Sequence, residues 1–118
     1  MMLFTKEITK RLLENGERQE AVRGTKGEID FEPVVKLFTP DGGATWLLSE
    51  IMDWDHDIAF GLCDLGMQCP ELGLVRISEL MSARGVLGLP IERDLSFKAD
   101  KSLLEYSRQA HEVGRIVA

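Results

Sequence analysis

No lysine or arginine occurs between Lys36 and Arg76, while Asp41, Glu50, Asp53, Asp55, Asp57, Asp64 and Glu71 all fall inside that gap. The chain has 20 acidic and 14 basic residues, a formal net charge of -6, and the surplus is concentrated in this middle third. A phosphate backbone would be repelled there, so direct nucleic-acid binding is not expected of this stretch, and the partners it admits are a metal ion or the basic surface of another protein. Cysteine is scarce: Cys63 and Cys69 are the only two, too few for the disulfide framework of a small secreted domain. No run approaches the roughly 20 apolar residues that cross a bilayer, which excludes a membrane-spanning helix. The opening Met1-Met2-Leu3-Phe4 runs directly into Thr5-Lys6-Glu7 without the apolar core and cleavage site of a secretory leader, so a cytoplasmic location is expected. No Walker-type glycine loop, nucleophile elbow or Ser/His/Asp arrangement can be assembled, so no catalytic residue is assigned and no cofactor is expected.

What is present fits one domain, 1–118, with 44% hydrophobic residues and enough length for an ordinary core. Thr5 is a fitting N-cap for an amphipathic helix through Asn15 that Gly16 would stop, and 17–32 reads as a surface loop. Val34–Phe38 and Ala44–Met52 flank the turn Thr39-Pro40-Asp41-Gly42-Gly43 as a hairpin, and Ile58–Cys63 and Leu72–Ile77 continue it as a meander. Ser78–Arg84 can form about two helical turns, and Asp94–Phe97 a short edge strand. Ser102 with Glu105 resembles a capping box ahead of a helix over 102–117, whose narrow stripe Leu103, Tyr106, Ala110, Val113 and Val117 suits packing on the sheet or, alternatively, a homodimer seam.

Several constellations invite chemistry. Asp53, Asp55, Asp57 and Asp64 have the spacing of a calcium loop, but Ile58 stands where the sharp turn needs glycine, so no metal site is assigned. Cys63, Cys69, His56 and His111 are zinc-ligand types without a close C-x-x-C pair. His56, between carboxylates, is a candidate acid or base that lacks an evident pocket. Trp54, flanked by Asp53 and Asp55, is an anchor for an arginine or lysine of another protein. Glu71, Glu79, Arg84, Glu92, Arg93 and Asp94 lie at the ends of neighbouring elements and offer a charged cluster, either an ion-pair network or a small-ligand site.

The ordered segments Val34–Pro40 through Trp46, Phe60-Gly61-Leu62, Pro70-Glu71-Leu72-Gly73, Ser78-Glu79-Leu80, Arg84-Gly85 and Gly88–Leu95 resemble a small bacterial family of plasmids, phages and other mobile elements, known only as a domain of unknown function. The resemblance covers about Leu3 to Glu105. It departs at Leu74 and Val75, and at Leu47, where the family commonly has an aromatic residue, and the tail from Tyr106 falls outside it. It implies a genomic neighbourhood near antirestriction genes and no catalytic residues.

The expected fold is α+β: a four- or five-stranded antiparallel sheet with the N- and C-terminal helices packed on one face. The expected function is a non-enzymatic, acidic accessory of a mobile element that occupies a basic surface of a host defence complex, in the manner of an anti-CRISPR or antirestriction protein. Glu50, Asp53, Trp54, Asp55, Asp57 and Asp64 would form the contact and imitate phosphate. Two alternatives stand beside it: a small-ligand or metal-dependent enzyme built on Glu71, Glu79, Arg84 and Arg93, and a nucleic-acid-binding accessory using the basic outer thirds.

Overall fold

A computed structural model describes residues 3–118; Met1 and Met2, on which part of the leader argument rests, lie outside the described residues. Thr5 caps the first helix, α1 (Lys6–Glu20), its Oγ1 accepting from Ile8 N at 3.1 Å. The helix does not stop at Gly16, because Glu17, Arg18, Gln19 and Glu20 are strong helix formers and Gly16 serves a different purpose. It lets α1 cross the sheet at backbone contact: a Cβ there would lie 1.8 Å from the Ile51 carbonyl oxygen. The surface loop expected over 17–32 therefore begins only after Glu20.

Five strands follow the order β4-β3-β2-β1-β5, with β1 (Val35–Phe38), β2 (Thr45–Ile51), β3 (Ile58–Asp64), β4 (Glu71–Arg76) and β5 (Glu92–Arg93). All pairings are antiparallel. The edge strand β5 lies earlier than the expected Asp94–Phe97, because Asp94 Oδ1 accepts from Ser96 N at 2.9 Å and turns the chain away after Arg93. The short helix α2 (Ile77–Ser82) follows β4 directly. Ser102 caps α3 (Leu103–Val113), accepting from Glu105 N at 3.3 Å. Gly114 ends that helix four residues before the sequence expectation, in the left-handed conformation (φ 91°) that favours glycine.

The two terminal helices cover opposite faces of the sheet, and this corrects the one-face arrangement. Leu12 of α1 packs with Leu37, Trp46, Leu48 and Ile51, whereas Leu103, Tyr106 and Ala110 of α3 pack with Leu47 and Leu62. The cause is in β2, where Trp46, Leu47 and Leu48 are apolar in succession, so both faces of the strand demand cover. The stripe on α3 is thereby used within the fold, and its outer members Val113 and Val117 stay exposed. Among the described residues no helix is long and apolar enough to cross a membrane.

Candidate functional site

Glu50 is the only charged residue between Ala44 and Met52, one residue before the end of the most buried strand. The β2–β3 register explains where it points. Leu48 pairs with Gly61 and Glu50 with Phe60, so two residues on β2 advance against one on β3, and Ser49 is the extra residue of a β-bulge. Unbroken alternation would put Glu50 beside Leu48 and Trp46 in the core under α1. The bulge turns it to the α3 face, opposite Phe60.

On that face Glu50 lines a cavity of about 240 Å³ bounded by Gln19 and Arg23, the segment Glu28–Phe31, Ser49, Phe60, Leu103 and Leu104. Its walls are tied together. Gln19 closes both ends of its amide on Ile29, donating to the carbonyl at 2.7 Å and accepting from the N–H at 2.9 Å. Leu103 N donates to Phe31 O at 2.8 Å, and Asp30 Oδ1 accepts from Leu104 N at 3.1 Å. Glu50 itself is 2% exposed, and its Oε2 has no hydrogen-bond partner among the described residues. The nearest cation, Arg23, stands 3.6 Å from that oxygen and is shared with Glu20, which it meets at 2.9 Å.

Burial raises the Glu50 pKa above its ordinary 4.5, an effect that the Arg23 charge and the neighbouring Gln19 amide only partly offset. As pH rises from about 4.5 through the raised value, the unfolded chain gives up this proton before the folded one, so stability falls across that window. Glu50→Gln removes the penalty. Thermal unfolding at pH 7 should show the variant a few degrees more stable than wild type, with the difference vanishing at pH below the ordinary carboxylate range. A variant less stable at pH 7 would mean that the Arg23 pair outweighs desolvation.

The other residues singled out in the sequence are dispersed. Asp64 is 3% exposed at the far end of β3, where its Oδ1 accepts from Gly66 N at 2.9 Å and its Oδ2 from Ile116 N at 3.0 Å. Asp57 caps α2 from a neighbouring turn: Oδ1 accepts from Ser78 N at 3.0 Å and Oδ2 from Ser78 Oγ at 2.7 Å, and these bonds with Arg76 hold its pKa below the usual range. Asp55 accepts from Asp57 N at 2.9 Å and lies 3.8 Å from Arg76. Asp53, Trp54 and His56 remain outward on this stapled turn, Trp54 with 60% of its surface exposed. The acidic strip is thus not a single surface, since Glu50 and Asp64 point inside and Asp57 is occupied.

The charged cluster does not assemble either. Glu71 in β4 and Arg93 in β5 sit on opposite edges of a five-stranded sheet, about 19 Å apart at the usual strand spacing. Arg93 donates to the Leu3 carbonyl, Asp94 pairs with Lys36 at 3.5 Å, and Arg84 donates to Ala83 O at 2.7 Å. Glu92 is paired opposite Phe38, and Glu79 is exposed on α2. The four zinc-type residues are separated by the sheet: Cys63 packs on the α1 side, and His111 belongs to α3 on the other. Burial pushes the Cys63 thiol up to about 11, so it stays protonated at neutral pH. Among the described residues no group of three or more His, Cys, Asp or Glu could hold a metal ion.

Glu50 stood out in the sequence, but Gln19, Arg23, Phe31 and Leu104 beside it did not, and Phe60 did so only as part of a motif. The available signal was a lone carboxylate inside an otherwise apolar strand, which must find a partner or a cavity.

Residues 3–117 match the model of a family described as a protein of unknown function, DUF2958, and the chain belongs to that family. The match runs through the C-terminal helix, so the tail from Tyr106 is part of the family domain and not an addition peculiar to this chain. No curated protein and no solved structure matches it.

Proposed function

Within a family of unassigned activity, we propose that this protein is a non-enzymatic binding accessory of a mobile genetic element that docks on a basic surface of another protein. The observation that carries this reading is Trp54, 60% exposed on the turn between β2 and β3 and flanked by the carboxylates of Asp53 and Asp55. An exposed indole is ordinarily a liability. Here it stands on a turn braced by Asp57 against Ser78 and Arg76, so little ordering entropy would be lost on binding. An aromatic face rimmed by carboxylates suits an arginine or lysine, through cation–π attraction and charge together.

The contact is narrower than the strip read from the sequence. It consists of Asp53, Trp54 and Asp55, and it grips one or two basic side chains where a phosphate imitation would need a row of them. The setting we propose is counter-defence, in which the nucleic-acid-handling surface of a host complex supplies the basic target. The overall charge of -6 adds long-range attraction to such a target.

The test is affinity capture from a cell carrying defence systems, comparing wild type with Asp53→Lys and Trp54→Ala. Neither substitution touches a described hydrogen bond, so both should fold as wild type. A basic partner held by wild type, released by salt and weakened at least tenfold by either change is the expected result. Equal retention by all three forms would remove the turn from consideration.

A further inference from the structure

The cavity beside Glu50 is separate from the Trp54 turn, and its polar inventory is close to complete without a ligand. Both ends of the Gln19 amide are bonded to Ile29, Asp30 caps α3, and Glu28 Oε2 accepts from Gly24 N at 3.2 Å. Ser49 Oγ reaches Phe60 O at 3.5 Å, and Arg23 is drawn to the surface carboxylate of Glu20 at 2.9 Å. The lining carboxylate left short is that of Glu50, whose buried Oε2 has no hydrogen bond among the described residues. A buried oxygen of this kind is expected to have a hydrogen-bond donor, and among the described residues it has only the Arg23 guanidinium, at 3.6 Å and shared with Glu20.

We propose that this cavity is a binding site for a small organic cation, a primary ammonium or guanidinium on a short apolar body, with the Glu50 carboxylate as its hydrogen-bond acceptor. The sign of the charge follows from the wall, which carries the carboxylates of Glu28, Asp30 and Glu50 against the single guanidinium of Arg23. An anion would meet net repulsion there. The apolar body follows from Ile29, Phe31, Phe60, Leu103 and Leu104, which form the apolar part of the lining. The size follows from the volume: about 240 Å³ lies just below the roughly 300 Å³ at which ordinary ligand pockets begin, so the site takes a fragment-sized molecule or a single side chain. Burial keeps the Glu50 carboxyl easier to protonate than usual, and an incoming ammonium would reverse that by replacing lost hydration.

The bulge at Ser49 acquires a reason on this view. It removes a carboxylate from the core under α1 and delivers it to a cavity whose other walls come from four separate parts of the chain.

The experiment is an amide NMR titration with 2-phenylethylammonium, using 2-phenylethanol as the uncharged probe of the same body and N-acetyl-lysinamide as a protein side chain in free form. Wild type should show saturable shifts at Ser49, Phe60, Leu103 and Leu104 with one or both ammonium probes and none with the alcohol. Whichever ammonium binds more tightly identifies the source as a free amine or a protein side chain. Glu50→Gln keeps the shape of the site and should weaken binding at least tenfold. Leu104→Lys places a competing ammonium at the mouth from an exposed position, and should weaken it in a protein whose spectrum is otherwise native. Equal shifts from the alcohol, an unchanged titration in Glu50→Gln, or no response to either ammonium would overturn the proposal. None of these outcomes bears on Trp54, which does not line the cavity.

Discussion

Gly61→Ala is expected to destabilise the protein by more than about 3 kcal/mol and to lower the midpoint of thermal unfolding by roughly 10 °C or more. Gly61 faces Leu48 at the bulge, and a Cβ there would come within 2.0 Å of the Leu47 carbonyl oxygen, 2.8 Å of Leu48 Cα and 2.9 Å of the Leu47 carbonyl carbon. All three are backbone atoms of the central strand, so no side chain can swing away to make room. The backbone has two responses. It can move apart, breaking the β2–β3 pairing that joins the two halves of the sheet, or it can lose the bulge and slip by one residue. A slip would return Glu50 to the core under α1 as a buried charge far from Arg23, which is itself a large penalty. Circular dichroism melting checks the loss of stability. A variant melting within about 3 °C of wild type would show that the strand at Ser49 is more yielding than its geometry indicates.

Asp64→Ala should be nearly as damaging, by roughly 3 kcal/mol, although the residue belongs by sequence to the acidic strip. Its carboxylate is the only described acceptor for Gly66 N in the turn after β3 and for Ile116 N beyond α3. Truncation leaves two donors without their charged acceptor, each worth about 1.5 kcal/mol or more when the acceptor is a carboxylate. Ile116 is 7% exposed and completes the cluster of Leu47, Leu62, Leu103, Tyr106 and Ala110, so releasing its backbone loosens the packing of α3 as well. Asp64→Asn keeps one oxygen acceptor and should show about half the effect. The denaturant midpoint measures the loss, and hydrogen exchange at Ile116 N should quicken before the rest of the sheet opens. An Asp64→Ala protein with wild-type midpoint would mean that Ile116 is held by packing alone. Lysine substitutions of Asp57 or Asp64 are for the same reason unsuited to probing a binding surface, because loss of capture would report on α2 or α3.

Much of the fold was legible because its signals are local. Thr5 and Ser102 are caps that act within three residues, and the Thr39–Gly43 turn and the strands beside it alternate or break where the chain does. The placing of the helices on two faces was not read, and the one-face expectation failed, although the unbroken apolar run of Trp46, Leu47 and Leu48 carries it: a strand covered on one side only would not have that run. The bulge was not legible. It arises from a mismatch between two strands, so no residue in β2 announces it, and the direction of Glu50 depends entirely on it. The cavity depends in turn on that direction and on Gln19, Asp30 and Leu103, which lie far apart in the chain. Charge pattern alone also overstated the acidic surface, because it cannot distinguish a carboxylate facing solvent from one capping a helix, as Asp57 does for Ser78.

The most direct test of the binding account is photo-crosslinking in living cells from a benzophenone side chain placed at the exposed position of His56, two residues from Trp54. A discrete adduct with one basic protein is expected, abolished by Asp53→Lys and unaffected by Glu50→Gln. An adduct that persists in Asp53→Lys, or a diffuse ladder the same in both proteins, would contradict the assignment of the β2–β3 turn as the docking surface.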